Sequence, residues 1–290
     1  MSTPRGVGTA YETKDLKYHP SCRWKFLTWN LFVLGFQYLL MDLVTHQPTS
    51  PMDIERFFSP GREYLLFRPD DVPSPTLAEA VIHLAVTLVA WGPMGASFIS
   101  IFYRIVALLS VALGISSPNQ WPSLFGSISD TYRLRRFWGR YWHQLLRQPF
   151  QGITKLITRN VLRLPHQSRL ARYLGLVLVF ACSALLHACM DAKAGIGFKL
   201  SGAWACFLLQ AVGITLEDTA VGVYTRVFGD SQSQSQSTPL WVRLLGYVWV
   251  WGFLALVAPL YQFPLMRGQD PMRTGMPVSV VRWLRAYFAV

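Results

Sequence analysis

Residues 133–148 read RLRRFWGRYWHQLLRQ, and how this stretch folds decides where the rest of the chain belongs. At roughly 100° per residue it divides into two faces. Arg133, Arg136, Arg140, His143 and Arg147 share one narrow sector. Leu134, Phe137, Trp138, Tyr141, Trp142 and Leu145 occupy the other side. The pattern predicts an amphipathic interfacial helix with a cationic stripe, a broad aromatic face and a histidine within the stripe. A plain anchor, with arginines snorkelling above an aromatic belt, has the same pattern. A second histidine, His187, ends an otherwise apolar run from Tyr173 to Leu186.

The surrounding composition makes this a membrane problem. The 290 residues are 52% hydrophobic and 14% charged, with a mean hydropathy of +0.28. A soluble domain carries about 25% charged residues. The deficit is concentrated in long uncharged runs, so the chain is expected to be an integral membrane protein in contact with a lipid bilayer. The net charge of +12 could point to nucleic acid. That class is excluded because the bases lie beside apolar spans, where they mark the cytosolic side. From Thr131 to Leu186 there are ten Arg or Lys and no Asp or Glu. Such one-sided charge attracts lipid headgroups or a phosphorylated cosubstrate. Met1 to Arg23 lacks the apolar core of a cleavable signal peptide. The cysteines at 22, 182, 189 and 206 form no CxxC pair, so they read as packing residues and no metal site is expected.

Working outward, Phe26–Met41 is a first span, and residues 45–76 are a loop with prolines, acids and arginines. Leu77–Ile115 is a long apolar tract interrupted at Gly92-Pro93. The charge balance of the flanking loops favours one broken crossing over two short ones. Residues 116–132 form a loop rich in prolines and aromatic residues. Leu170–Met190 and Leu200–Leu216 are further spans, the second ending at Glu217-Asp218, which reads as an interfacial cap like Asp42. Residues 231–237, SQSQSQS, form a solvated loop, and Leu244–Met266 is the last span. The tail from Met276 to Val290 is too short to cross. No internal repeat is visible, which argues against many transporter architectures.

An ionisable side chain inside a span is costly and therefore a functional candidate. A helix rises about 22 Å from Arg172 to His187, which puts the imidazole well inside the hydrocarbon or toward its far side. Ser183, His187 and Asp191 are spaced by four and share a face. They do not make a hydrolase triad, because a triad converges from separate elements. Ser183 or Asp191 instead orients the ring, and the plain alternative is a histidine hydrogen-bonded between helices. An imidazole, with a reference pKa of roughly 6.5, suits removal of a proton from an alcohol that attacks a thioester. A closed site also protects that thioester from water. His143 would donate to the thioester oxygen as negative charge develops.

Leu134-Arg135-Arg136-Phe137-Trp138-Gly139-Arg140-Tyr141-Trp142-His143-Gln144, preceded by Trp121-Pro122-Ser123-Leu124-Phe125-Gly126, resembles the wax synthase-like branch of the membrane-bound O-acyltransferases. More narrowly, it is similar to the fungal acetyltransferases of terpenoid and meroterpenoid pathways. Ser183-Ala184-Leu185-Leu186-His187 matches that family's histidine motif. Arg5-Gly6-Val7-Gly8-Thr9 and Leu216-Glu217-Asp218 match further segments. The resemblance covers nearly the whole chain as one domain, residues 1–290. It implies acetyl-CoA or another acyl-CoA as cosubstrate, no bound cofactor, a hydrophobic alcohol as acceptor and an endoplasmic reticulum location. It carries over His187 as the catalytic histidine and His143 as the second polar site residue. Relatives generally have more spans ahead of the segment that begins here at residue 5, which implies a chain shortened at its N-terminus.

The sequence thus predicts an all-α polytopic membrane protein, with five or six transmembrane helices around an interior tunnel. The expected activity is O-acyl transfer, with acetyl as the acyl group. His187 and His143 are the catalytic candidates, and Ser183 and Asp191 support them. Arg133, Arg136, Arg140, Gln144, Arg147, Trp138 and Trp142 are the candidates for substrate binding. The rival readings are a long-chain wax-ester or sterol acyltransferase, and a non-catalytic transporter or inactive relative.

Overall fold

The structure, a computed structural model, describes residues 5, 7–8, 12, 16–18, 22–45, 55–66, 68–165, 168–228, 238–268 and 278–288. Among these residues the regular secondary structure is helical, without strands. Ten α-helical segments follow in order: α1 Arg23–Thr45, α2 Leu77–Val89, α3 Gly95–Ala112, α4 Leu134–Arg136, α5 Arg147–Lys155, α6 Arg169–Lys193, α7 Ala203–Phe228, α8 Leu240–Val257, α9 Pro259–Gly268 and α10 Val280–Phe288. Among the described residues, five stretches are long and apolar enough to cross a membrane: Arg23–Thr45, Leu77–Ala112, Arg169–Lys193, Ala203–Val227 and Leu240–Gly268. This is the lower of the two expected numbers. The SQSQSQS tract lies outside the described residues.

The tract around Gly92-Pro93 is one continuous helical stretch with a local defect. A π-helical turn, Ala90–Met94, joins α2 to α3 and contains Pro93. Proline has no N–H for the regular i→i−4 bond, and widening one turn absorbs the loss without ending the helix. The span expected to end at Glu217-Asp218 instead continues as α7 to Phe228. Both carboxylates therefore sit within a helix, and their partners come from elsewhere in the chain.

The chain forms two compact units, Met1–Asp15 with Phe125–Tyr261, and Leu16–Leu124 with Gln262–Val290. In the second unit α1 and α3 pack as an antiparallel pair. Buried Phe26 meets Ala107 and Val111, and Met41 meets Ile101. Arg23 Nη2 donates to the Ala112 carbonyl at 2.8 Å, which closes one end. Inside, Arg104 donates to the buried Asn30 side chain and, at 3.1 Å, to Ser100 Oγ. At the other end Val281 N donates to Asp42 Oδ2 at 2.9 Å and Tyr38 Oη donates to Val278 O at 2.6 Å, anchoring the tail helix α10. In the first unit α6, α7 and α8 bury small and aromatic residues, including Ala184, Ala188, Ala203, Phe207, Ala211, Val250 and Leu254.

Candidate active site

The stretch 133–148 is not the continuous helix that its periodicity predicts. One turn, α4, is followed by a π-helical turn, Phe137–Tyr141, and the helix ends at Trp142, whose φ of −65° and ψ of 149° are extended. A new helix starts only at Arg147. Two side chains satisfy the carbonyls left open at this break. Gln144 Nε2 donates to the carbonyls of Trp138 at 3.0 Å and Trp142 at 2.5 Å, and Arg147 Nη1 donates to that of Gly139 at 3.0 Å. The cationic stripe is broken accordingly. Gln144 and Arg147 lock the backbone, and His143 lies in the gap between the two helical segments.

The front of the stretch is held by the two acids of α7. Leu134 N donates to Glu217 Oε2 at 2.6 Å and Arg135 N to Oε1 at 3.3 Å; Trp249 Nε1 adds a bond to Oε2 at 3.1 Å. A buried carboxylate thus caps the first amides of α4, where the helix dipole favours negative charge. Asp218 accepts from Arg135 Nε at 3.0 Å and Nη2 at 2.5 Å, from Arg172 at 3.1 Å and from Tyr173 Oη at 3.3 Å. Arg136 and Arg140 share Asp130, at 3.4 and 3.9 Å. Arg133, Arg135, Arg136 and Arg172 line a cavity of about 360 Å³ floored by Glu217 and Asp218. Arg140 and Arg147 do not line it.

The far side of the break holds His143. Its ring lies 5.6 Å from Trp142 and 6.4 Å, edge-on, from Phe125, and Nδ1 is buried without a hydrogen-bond partner. Burial, then the charges of His187 and Arg5, push its pKa down to about 4. His143 is therefore neutral at pH 7, and His187 and the buried Arg5 are close enough to act on it. Arg5, from the Arg5-Gly6-Val7-Gly8-Thr9 segment, is a neighbour that the site assignment from sequence missed.

Phe125 is set by Gly126, whose N–H donates to the Tyr141 carbonyl at 2.9 Å. A Cβ at Gly126 would lie 2.2 Å from the Arg140 carbonyl oxygen, so only glycine permits this approach.

His187 projects from α6. Its Nδ1 is 2.8 Å from the Ser183 backbone carbonyl. A carbonyl oxygen only accepts, so Nδ1 carries a proton, and whenever the ring is neutral Nε2 holds the basic lone pair. Ser183 thus orients the ring, through its carbonyl and not its hydroxyl. Asp191 makes its bonds elsewhere, accepting from Ser201 Oγ at 2.6 Å and Tyr261 Oη at 3.2 Å. Tyr261 then stands edge-on to His187 at 5.5 Å. Phe207 covers His187 at 4.4 Å and also meets Trp138 at 6.4 Å. Trp138 Nε1 donates to the buried Gln210 side chain at 3.0 Å, and its ring lies 5.5 Å from Phe180. Trp142 stacks on Phe137 at 5.8 Å. Phe207, Gln210 and Tyr261 were not singled out from sequence, since nothing in α7 or α9 distinguishes them from ordinary packing residues.

A chain of aromatic contacts, Trp142 to Trp138 to Phe207, runs from the ring beside His143 to the ring beside His187, and neither imidazole lines the arginine cavity. The family model described as "Membrane bound O-acyl transferase family" matches residues 121–209, which contain the Trp121–Gly126 turn, the broken arginine stretch and His187. Acetyltransferase ataH of Aspergillus terreus is 49% identical over 293 residues, covering 100% of this chain and 95% of that protein. Acetyltransferase atnC of Arthrinium sp is 35% identical over 273 residues, 91% of this chain and 60% of its own length. Acetyltransferase pyr8 of Aspergillus fumigatus is 35% identical over 290 residues, 96% and 65% respectively. The chain thus spans nearly all of one relative and under two thirds of the other two. No solved structure matches it. With the similarity to ataH running the length of both chains and the matched region enclosing both histidines, the chain belongs to the membrane-bound O-acyltransferase family.

Proposed function

We propose that the protein is an O-acetyltransferase that moves the acetyl group of acetyl-CoA to a hydroxyl of a hydrophobic metabolite of terpenoid or meroterpenoid type, in the endoplasmic reticulum membrane. The observation that carries this reading is His187 Nδ1 lying 2.8 Å from the Ser183 carbonyl, which in a neutral ring leaves Nε2 to accept a proton, with His143 within electrostatic reach. In the proposed reaction Nε2 takes the acceptor's O–H proton as its oxygen bonds to the thioester carbon. The carbonyl oxygen becomes an oxyanion, and a ring N–H of His143 stabilises it. The C–S bond then breaks, and the His187 imidazolium returns its proton to the departing thiolate, leaving ester and free CoA. A neutral His143 can donate without placing a permanent cation in a low-dielectric chamber.

The donor's phosphates are assigned to the cavity lined by Arg133, Arg135, Arg136 and Arg172, whose guanidinium groups suit bidentate phosphate contacts. Arg172 and His187 are separated along α6 by about 22 Å, a distance on the scale of an extended pantetheine arm. Trp138 and Phe207 would flank the arm, and Tyr261 would hold the base. The acetyl assignment draws on relatives whose names are acetyltransferases.

The test uses purified protein in nanodiscs, labelled acetyl-CoA or palmitoyl-CoA, and a panel of terpene and sterol alcohols. Acetyl ester is expected. Preferential palmitoyl transfer would replace this reading with the wax-ester or sterol alternative, and no turnover with either donor would make the chain an inactive relative. Arg133→Gln and Arg136→Gln should raise the KM for acetyl-CoA about tenfold, with kcat little changed. An unaltered donor KM would remove these arginines from phosphate binding.

A further inference from the structure

The unit containing residues 16–124 and 262–290 has a second basic cavity that the reaction does not use. It measures about 210 Å³ and is lined by Arg56, Arg62, Arg68, Phe57, Ile82 and His83, with Glu79 the carboxylate at its wall. Three guanidinium groups thus face one acid, and that acid is partly engaged. Glu79 Oε2 accepts from Thr76 N at 2.9 Å in the N-terminal capping box of α2, and Oε1 is 3.9 Å from Arg62. Arg68 is a fixture, donating to the carbonyls of Tyr64 at 3.0 Å and Pro73 at 2.7 Å. Arg56 has no carboxylate within ion-pair distance among the described residues.

His83 supplies an independent sign of a ligand. It is 3% exposed, and its Nε2 is a buried polar atom without a hydrogen-bond partner. Leaving such an atom unpaired costs on the order of 1–3 kcal/mol, so its retention calls for an acceptor or donor. The ring is clamped 4.8 Å from Phe263 and 6.3 Å from Phe57. The loop that carries Arg56 and Arg62 is held by Arg267, which donates to Glu63 at 3.0 and 3.1 Å and to the Phe58 carbonyl at 2.9 Å. The cavity is therefore built, with fixed walls.

Its depth indicates the kind of ligand. His83 lies in the first turns of α2, at the start of the Leu77–Ala112 stretch that is long and apolar enough to cross a membrane. A cavity beside the start of such a span lies at headgroup level. Leu77, Val81 and Ile82, which are 83%, 56% and 51% exposed, offer an aliphatic face beside it.

We propose that this cavity binds the phosphate of an anionic phospholipid, with an acyl chain lying along the Leu77–Ile82 face of α2. Arg56 and Arg62 grip the phosphate oxygens and His83 Nε2–H completes the shell. This site is independent of the acetyl-transfer reading.

The experiment is native mass spectrometry on the purified full chain in detergent, with phosphatidic acid and phosphatidylcholine at equal concentration and inorganic phosphate as competitor. Wild type is expected to retain phosphatidic acid at least tenfold better than phosphatidylcholine. The Arg56→Gln/Arg62→Gln double variant should lose that preference, while size exclusion and acetyl transfer stay unchanged. Should the double variant fail to fold, Arg56→Gln alone must still show a smaller loss in the same direction. Equal retention by variant and wild type, or no headgroup preference in wild type, overturns the proposal. Inorganic phosphate binding as tightly as phosphatidic acid would assign the cavity to a free anion and overturn the lipid claim.

Discussion

Gly126→Ala tests the frame that aims His143. The new Cβ would stand 2.2 Å from the Arg140 carbonyl oxygen, 3.0 Å from its carbon and 3.1 Å from Tyr141 Cα. All three are backbone atoms, so no rotamer change relieves the contact. Ordinary contact begins near 3.4 Å, and the segments must therefore separate by about 1.2 Å. That movement also strains the Gly126 N–H bond to Tyr141 and shifts the ring of Phe125 that flanks His143. Over-packing of this kind costs about 1–3 kcal/mol of stability. Misplacing a catalytic group by about 1 Å costs on the order of 100-fold in rate. The expected result is a folded protein with kcat reduced about 100-fold and a nearly unchanged KM for acetyl-CoA. The assay is acetyl transfer per mole of protein recovered as a single size-exclusion peak. Gly139→Ala is the control, since nothing lies within 4 Å of its added Cβ, and it should turn over like wild type. A folded Gly126→Ala protein with full activity would refute the argument.

Other perturbations follow from the same contacts. The pKa of His143 is held near 4, below its unfolded value of roughly 6.5, so the unfolded chain binds the extra proton first. Stability from this group should be intact above pH 6.5 and fall by roughly 3 kcal/mol as pH drops toward 4; thermal unfolding across that range should flatten in His143→Asn. Asp218→Asn frees Arg135 and Arg172 from their shared carboxylate, so the acetyl-CoA KM should drop a few-fold at low salt and become more salt-sensitive, as steady-state kinetics at two ionic strengths would show. Glu217→Ala strands the amides of Leu134 and Arg135 and the Trp249 indole, and should cost roughly 3 kcal/mol in thermal or denaturant unfolding.

The membrane architecture was legible in the sequence because hydrocarbon tolerates so few charges. Uncharged runs bounded by Lys25, Asp42, Arg169 and Arg172 mark the ends of α1 and the start of α6 to within a few residues. His187 stood out for the same reason, as an ionisable group on an apolar helix. The broken arginine stretch was not legible. Its 100° periodicity is real, but a carboxylate at Glu217 fixes its beginning from 83 residues away, and the side chains of Gln144 and Arg147 fix its end. Periodicity records neither. Of the two residues spaced by four from His187, Ser183 meets the ring with its backbone carbonyl and Asp191 bonds Ser201 and Tyr261 instead; Tyr261 comes from a segment with no local signal. The second basic cavity was hidden because its arginines lie in a loop and its histidine begins a span.

The most direct measurement compares wild type with His187→Gln in nanodiscs, following transfer of label from acetyl-CoA to the best alcohol of the panel. A positioned general base contributes about 100- to 10,000-fold. The account predicts a loss within that range in kcat, with acetyl-CoA binding preserved at the Arg133 cavity. A His187→Gln protein that folds, binds the donor and acetylates at the wild-type rate would contradict it.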